Sequence, residues 1–272
     1  MYLAHWQLRE APYRNAIDPA YFFQSLTHDE ALARLHFLVD GDHRGGLLLG
    51  DAGSGKSLLL EVLARQLRKI GVTVAKFSLL GLDKHELLAN LAACWGLDVS
   101  PGEEAAVLWR LVLDTIAAQH IESQRNVVLL DDVDEATPEV LAQVLRLMQT
   151  DVATQPAATL ILVARRARVA QLGDRLLELA DLRVDLMPWN ADDTQHYLEH
   201  GLARAGRLEQ TFTPDAIALL AELSQGVPRN VVQLADLSLI AAAGQELSEV
   251  DAHTVHAVYH ELGVVQRMAE AH

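Results

Sequence analysis

The 272-residue chain has a formal charge of −15 and a pI near 5.1, which disfavours a surface that holds nucleic acid throughout. Half of it is apolar, yet no uninterrupted run nears the roughly 18 residues that span a bilayer, and MYLAHWQLREAPYR lacks a signal peptide's apolar core. One cysteine, Cys94, excludes an internal disulfide framework and a cysteine-based zinc site. It reads as a small buried residue on a helix, and together these signs point to a cytoplasmic protein.

Taken in order, the chain opens with Pro12, Pro19 and the aromatic run Tyr21-Phe22-Phe23, which either covers a nucleotide base or seals a sheet. Thr27 and Glu30 have the spacing of a capping box, predicting a helix from about His28 to Asp40 that Asp40-Gly41-Asp42 closes. Gly45-Gly46 and the run Leu47 to Leu49 then read as a buried parallel strand. It leads into Gly50-Asp51-Ala52-Gly53-Ser54-Gly55-Lys56-Ser57, a complete G-x-x-x-x-G-K-[ST] phosphate loop, with a helix from Leu58 onward. Glycines let the loop turn its N–H groups inward, and the helix N-terminus adds positive potential where an anion sits. Lys56 then reaches the outer phosphates of a nucleotide, and the Ser57 hydroxyl is a ligand for Mg2+. This pattern assigns Gly50 to Leu58 to nucleotide binding.

A second strand follows over Val72 to Phe77, with helices over Asp83 to Trp95 and Glu103 to about His120, parted by Ser100-Pro101-Gly102. Asn126-Val127-Val128-Leu129-Leu130-Asp131-Asp132 is an apolar strand ending in paired carboxylates, the form of a Walker B segment. A carboxylate at the C-terminal end of a parallel strand faces the ligand crevice. Asp131 is thereby the metal residue, and Asp132 is placed to orient or deprotonate the attacking water, with Glu135 as its rival. Thr137-Pro138 supplies the next helix start, leaving the carboxylates available. Thr159 to Ala164 reads as the strand beside the phosphate-loop strand. Arg165 and Arg166 emerge from its end, positioned for a γ-phosphate, a neighbouring subunit's nucleotide or surface acid.

Leu182 to Met187 gives a last strand, ended by Pro188, and the pattern then becomes wholly helical: Ala191 to Arg204, Pro214 to Ser224, Asn230 to Ala243 and Val250 to Leu262. The organisation expected is an α/β core over residues 1–188, its parallel sheet flanked by helices, and a helical subdomain over 189–272. In Gly226-Val227-Pro228-Arg229 an arginine stands at a helix start after a rigid turn, ready to swing onto phosphate. His253 and His256 share a helix face, but two nitrogens without a third ligand make a poor metal site, so no metal beyond magnesium is read.

The succession of MYLAHWQLREAPY, DPAYFF, S-x-x-H-x-EALARL, GDAGSGKS, VVLLDD, a strand into RRA, and GVPRNVVQLAD resembles the ATPase domain of general secretion pathway protein A, a branch of the AAA+ ATPases. It is more distantly similar to transposition ATPases of the MuB, TniB and TnsC kind. The resemblance covers about Met1 to Leu262 and implies a P-loop core with a helical lid, ATP between them, and oligomers that couple hydrolysis to a protein partner. By position, Lys56 and Ser57 match the Walker A motif, Asp131 the metal aspartate, and Arg229 the sensor-2 arginine.

Some positions depart from that pattern. Relatives usually end Walker B in Asp-Glu, whereas Asp131-Asp132 is one methylene shorter; misplacement of about 1 Å can cost about 100-fold in rate, so slow turnover is expected. Where relatives often carry Gly-Gln after the sensor-1 strand this chain has Ala164-Arg165, and the Gln-Arg-Ile phrase is replaced near Glu178-Leu179-Ala180. Arg175 or Arg183 could substitute for the missing arginine, or Arg165 or Arg166 could act in trans, so the arginine finger stays unassigned. Larger members continue into a transmembrane segment and a peptidoglycan-binding domain, which the sequence to His272 does not include.

Three functions fit these readings. One is an oligomeric Mg2+-dependent ATPase acting on a protein partner, in secretion or envelope assembly. The second is a nucleotide-gated binding module with little hydrolysis. The third, a DNA-associated ATPase of the transposition type, is disfavoured by the acidic charge, because each phosphate contact needs a cation.

Overall fold

The computed structural model describes residues 2–100, 102–152 and 154–269, so Pro101 in the Ser100-Pro101-Gly102 turn lies outside the described residues. The first half holds α1 (Tyr2–His5), α2 (Leu26–Asp40), β1 (Gly45–Gly50), α3 (Lys56–Lys69), β2 (Thr73–Ser78), α4 (Lys84–Cys94), α5 (Ala105–Ile121) and β3 (Asn126–Asp131). Next come α6 (Pro138–Met148), the short pair β4 (Asp151–Val152) and β5 (Gln155–Pro156), β6 (Thr159–Arg165), α7 (Asp174–Leu179) and β7 (Leu182–Leu186). The last four helices are α8 (Ala191–Arg204), α9 (Pro214–Ser224), α10 (Pro228–Gly244) and α11 (Ala252–Ala269). By contacts the chain forms two units: residues 28–52 with 56–186, and residues 1–27 and 53–55 with 187–272.

The α/β unit is built on a parallel sheet in the order β2-β3-β6-β1-β7. Every residue of β1 and of β3 is buried. Helices cover both faces of such a sheet, so its inner strands need apolar side chains in unbroken runs, as LLL and VVLL provide. The close spacing at β1 explains its first glycine: a Cβ on Gly45 would stand 2.2 Å from the Leu160 carbonyl oxygen. Leu88, Val112, Ile116, Val144 and Leu147 from the helices meet Leu49, Val128, Leu130 and Leu162 from the sheet in one aliphatic core. Parallel pairing brings the strand ends Gly50 and Arg165 level with each other, and likewise Ser78 and Asp131. That C-terminal edge is where a ligand crevice forms in such sheets.

The helical unit has a different interior. Trp6, 1 % exposed, donates its indole N–H to the Leu239 carbonyl at 2.9 Å, and Tyr13 donates its hydroxyl to the Leu198 carbonyl at 2.8 Å. Tyr13 packs on Tyr197 and Phe212, Phe23 meets Trp189 and Tyr197 edge-on, and Tyr21 lies beneath the Arg204 guanidinium. Side-chain caps start the helices: Asn190 with Asp193 forms a capping box at α8, and Thr213 accepts from the Ala216 N–H at α9. Among the described residues no helix is long and apolar enough to cross a membrane.

Three expectations need correction. The helix read from His28 starts at Leu26, so Thr27 lies inside it, where its hydroxyl accepts from the Met187 N–H while Glu30 pairs with Arg34 instead of capping. Cys94 is exposed, not buried, because it ends α4 beyond the buried stripe Leu87, Leu88, Leu91 and Ala92. The N-terminal aromatics do not seal the sheet: Phe23 packs on Trp189 and Tyr197 in the core of the helical unit, and by contacts residues 1–27 group with 187–272 and not with the α/β unit.

Candidate nucleotide site

The phosphate loop joins β1 to α3, and its backbone has the shape its glycines allow. Gly53 and Gly55 have φ of +82° and +92°, a left-handed conformation that turns successive N–H groups to one side. The 14-residue α3 begins at Lys56, so its first-turn amides point into the same space. The Lys56 ammonium donates to the carbonyls of Gly50 at 2.9 Å and Asp51 at 2.8 Å. A phosphate oxygen could take these donors by a small swing of the side chain.

Next to Lys56, the Ser57 hydroxyl lies close enough to the Asp131 carboxylate to favour its ionised form. Asp131 is 9 % exposed, and one oxygen also accepts the Asp132 N–H at 3.0 Å. Burial pushes the Asp131 carboxyl up from its usual value, while the Ser57 hydroxyl opposes that shift. Burial likewise pulls the Lys56 ammonium down, against the carboxylates of Asp131, Asp134, Asp51 and Asp132, which hold its proton. One lysine amid four carboxylates leaves an excess of negative charge, and a hydroxyl with a carboxylate is the hard oxygen pair that Mg2+ takes alongside phosphate. The residues present therefore fit a magnesium nucleotide.

Asp132 follows in the left-handed region, with φ 53° and ψ 37°, and its carboxylate accepts the Ser78 hydroxyl at 2.7 Å. Asp134 and Glu135 occupy the single turn Val133–Glu135 that comes next. Asp134, with a side chain 2 % exposed, accepts from the Arg165 backbone N–H at 3.2 Å and from its Nε at 2.7 Å. Glu135 pairs with Arg165 and, at 2.7 Å, with Arg168. Arg165 thus lies at the strand edge named from the sequence, engaged with two carboxylates of its own chain. Arg166 and Arg183 both pair with Asp185, and Arg175 is exposed on α7.

In the helical unit, Arg229 is the second residue of α10. Its N–H donates to the Gly53 carbonyl at 3.2 Å, and a Cβ on Gly53 would come within 2.8 Å of the Arg229 Cβ. The guanidinium is exposed and makes no ion pair among the described residues. Ser78 and Asp134 are the residues sequence reasoning missed. Ser78 carried a signal, since it ends the strand that pairs with β3 and stands level with Asp131. Asp134 carried none, because its burial depends on a turn that no pattern announces.

The AAA domain family matches residues 39–172. General secretion pathway protein A of Aeromonas hydrophila is 31 % identical over 249 residues, covering 89 % of this chain and 45 % of that protein. The chain thus spans less than half the length of that relative. Among solved structures, the Aeropyrum pernix ORC1 protein in complex with DNA aligns with a TM-score of 0.68 at 16 % identity, covering 94 % of this chain and 69 % of that one. The Aeropyrum pernix ORC2 protein in ADPNP–ADP complexes gives 0.66 at 17 % identity, over 94 % and 72 %. The Thermotoga maritima RuvB Holliday junction branch migration motor gives 0.61 at 14 % identity, over 93 % and 74 %. At these identities the structures speak for the fold alone.

Proposed function

The chain belongs to the AAA ATPases of the general secretion pathway protein A type, and on that footing we propose that it is a Mg2+-dependent ATPase. The observation that carries the reading is the placement of Lys56 and Ser57, which open α3 after the phosphate loop, and of Asp131, which ends β3, at the C-terminal edge of one parallel sheet: the cation, hydroxyl and carboxylate that a metal-bound phosphate requires. Gly50 to Leu58 would wrap the phosphates with backbone amides, and Lys56 would leave its loop carbonyls for their outer oxygens. Ser57 and Asp131 would hold the magnesium, which when bound neutralises phosphate charge. Asp132, steadied by Ser78, would align the attacking water and take its proton. Arg229 would swing its guanidinium onto the γ-phosphate. Arg165, engaged with Asp134 and Glu135, would need to exchange those partners to serve a neighbouring subunit, so its first role is to fix the turn after β3.

In this reading the core expected over residues 1–188 is reduced to the α/β unit from His28 onward, and residues 189–272 with the N-terminal segment supply a lid. The protein assembles into homo-oligomers in the cytoplasm and acts on a protein partner, with secretion or envelope assembly as the setting suggested by its relative. A nucleotide-gated binding module with slow or no hydrolysis is the second reading, favoured by the short carboxylate at Asp132. The −15 charge keeps a DNA-associated role third.

The test is ATP turnover with Mg2+ across a range of protein concentrations, with particle mass and nucleotide affinity measured in parallel. Lys56→Ala should weaken binding about 100-fold, the value of a lost charge-assisted contact. Asp132→Asn should keep binding and lose turnover. Unchanged affinity in the first variant would overturn the loop assignment, and full turnover in the second would move the water-activating role to Glu135. Tight binding without turnover in the wild type at every concentration would establish the binding module instead.

A further inference from the structure

The last helix, α11, is fixed on one side and open on the other. Its N-terminus is capped by Asp251, which accepts the Thr254 N–H at 2.8 Å and the Thr254 hydroxyl at 2.7 Å. Thr254, Val255 and Val258 are buried, while His253, His256, Tyr259, His260 and Glu261 are exposed. On this open side His256 and His260, one helical turn apart, bring their Nε2 atoms to 3.2 Å, with ring centroids 4.4 Å apart and planes at 71°. Side chains four residues apart lie over one another, so the spacing itself creates the meeting.

Two neutral imidazoles tolerate this approach when one ring donates its N–H to the other's lone pair. A single metal ion asks for the same separation. Metal–nitrogen bonds of about 2.0–2.1 Å at angles of about 90–110° set the two nitrogens roughly 2.9–3.4 Å apart. The observed 3.2 Å falls within that bite, and the anchored helix holds both ligands ready for it. Imidazole nitrogen selects the borderline ions Cu2+, Ni2+ and Zn2+ over Mg2+ and Ca2+, which prefer oxygen. No group of three or more histidine, cysteine or acidic side chains forms a metal cluster among the described residues, so the pair would hold an ion by two nitrogens alone, far more weakly than a closed site with a third ligand.

We infer that His256 and His260 form a surface chelate for a divalent transition-metal ion on α11, distinct from the phosphate-loop region. The test titrates Cu2+ and Zn2+ calorimetrically into the full chain without nucleotide, in a non-coordinating buffer, with electron paramagnetic resonance of the Cu2+ sample counting nitrogen ligands. The wild type should bind one ion through two nitrogens. His256→Ala and His260→Ala should each weaken binding about 100-fold, the scale on which a second tethered ligand acts. The double variant His260→Ala/Glu261→His keeps the number of histidines but sets the pair five residues apart, so it too should bind weakly. All three changes are on exposed positions, and an unchanged thermal melt establishes that each variant is folded. Equal affinity in the wild type and the single variants, or wild-type affinity in the respaced variant, would overturn the chelate.

Discussion

The two units reach stability by different means. The α/β unit has a largely aliphatic core, Trp109 apart, in which leucine and valine strands buried on both faces set the backbone and the backbone sets the site. The helical unit is sealed by rings: Trp6, Tyr13, Trp189, Tyr197 and Phe212 are all buried there, and all five tyrosines of the chain fall in residues 1–27 and 187–272. A sheet holds its strands by regular hydrogen bonds and needs only smooth apolar filling. Four helices joined by turns have no such ladder, so bulky rings with a polar handle, as in the Trp6 and Tyr13 hydrogen bonds to carbonyls, fill and register the gaps. The lesson is that the phosphate-loop motif is carried by the repetitive scaffold, while the helical unit is specified residue by residue.

The sharpest challenge to that contrast is Trp6→Ala. Truncating a buried tryptophan costs about 3–5 kcal/mol, and the Leu239 carbonyl would lose its donor as well. Hydrogen-exchange mass spectrometry should show protection falling in α8 to α11 while β1 and β3 keep theirs. Equal loss everywhere would mean one cooperative core and would end the comparison. Leu129→Ala, in a fully buried position of β3, should cost about 2–4 kcal/mol and give the reverse pattern. It should also weaken nucleotide binding, because Asp131 rides on the same strand.

The smallest effect is alkaline. Burial, with the charge and hydrogen bond of Asp236, pushes the Tyr2 phenol up to about 12 from 10.0, and burial raises Tyr13 and Tyr197 as well. The folded state holds these protons more tightly than the unfolded chain. Stability is therefore complete below pH 10.0 and is lost as pH rises from there towards about 12. Near-ultraviolet dichroism of the helical unit should fade over that window, and Tyr2→Phe should lessen the alkaline loss slightly; an identical alkaline profile in that variant would remove Tyr2 from the account.

Much of the α/β unit was legible because its signals are local. A glycine-patterned loop after Leu47 to Leu49, and carboxylates after Val127 to Leu130, carry their own context within a dozen residues. The same holds for α8 and α9, whose ends at Ala191, Arg204, Pro214 and Ser224 follow from cap residues and apolar spacing. What stayed hidden depends on distant partners. Tyr13 finds its carbonyl 185 positions away, at Leu198, and nothing near Tyr13 says so. Arg165 was legible as a residue at a strand end, but its capture by Asp134 needed the turn at Val133–Glu135 to carry that carboxylate inward. The pairing of His256 with His260 was available from spacing alone, yet the sequence reading weighed His253 with His256 instead.

The left-handed backbone at Asp132 bears on why its carboxylate is short. Aspartate and asparagine visit that region more readily than residues with longer side chains, for which it costs about 1–2 kcal/mol. Lengthening the side chain to glutamate would extend its reach towards a water and at the same time work against the main chain. With Asp132 in its proposed role beside the water, position 132 sets conformational ease against reach within a single methylene.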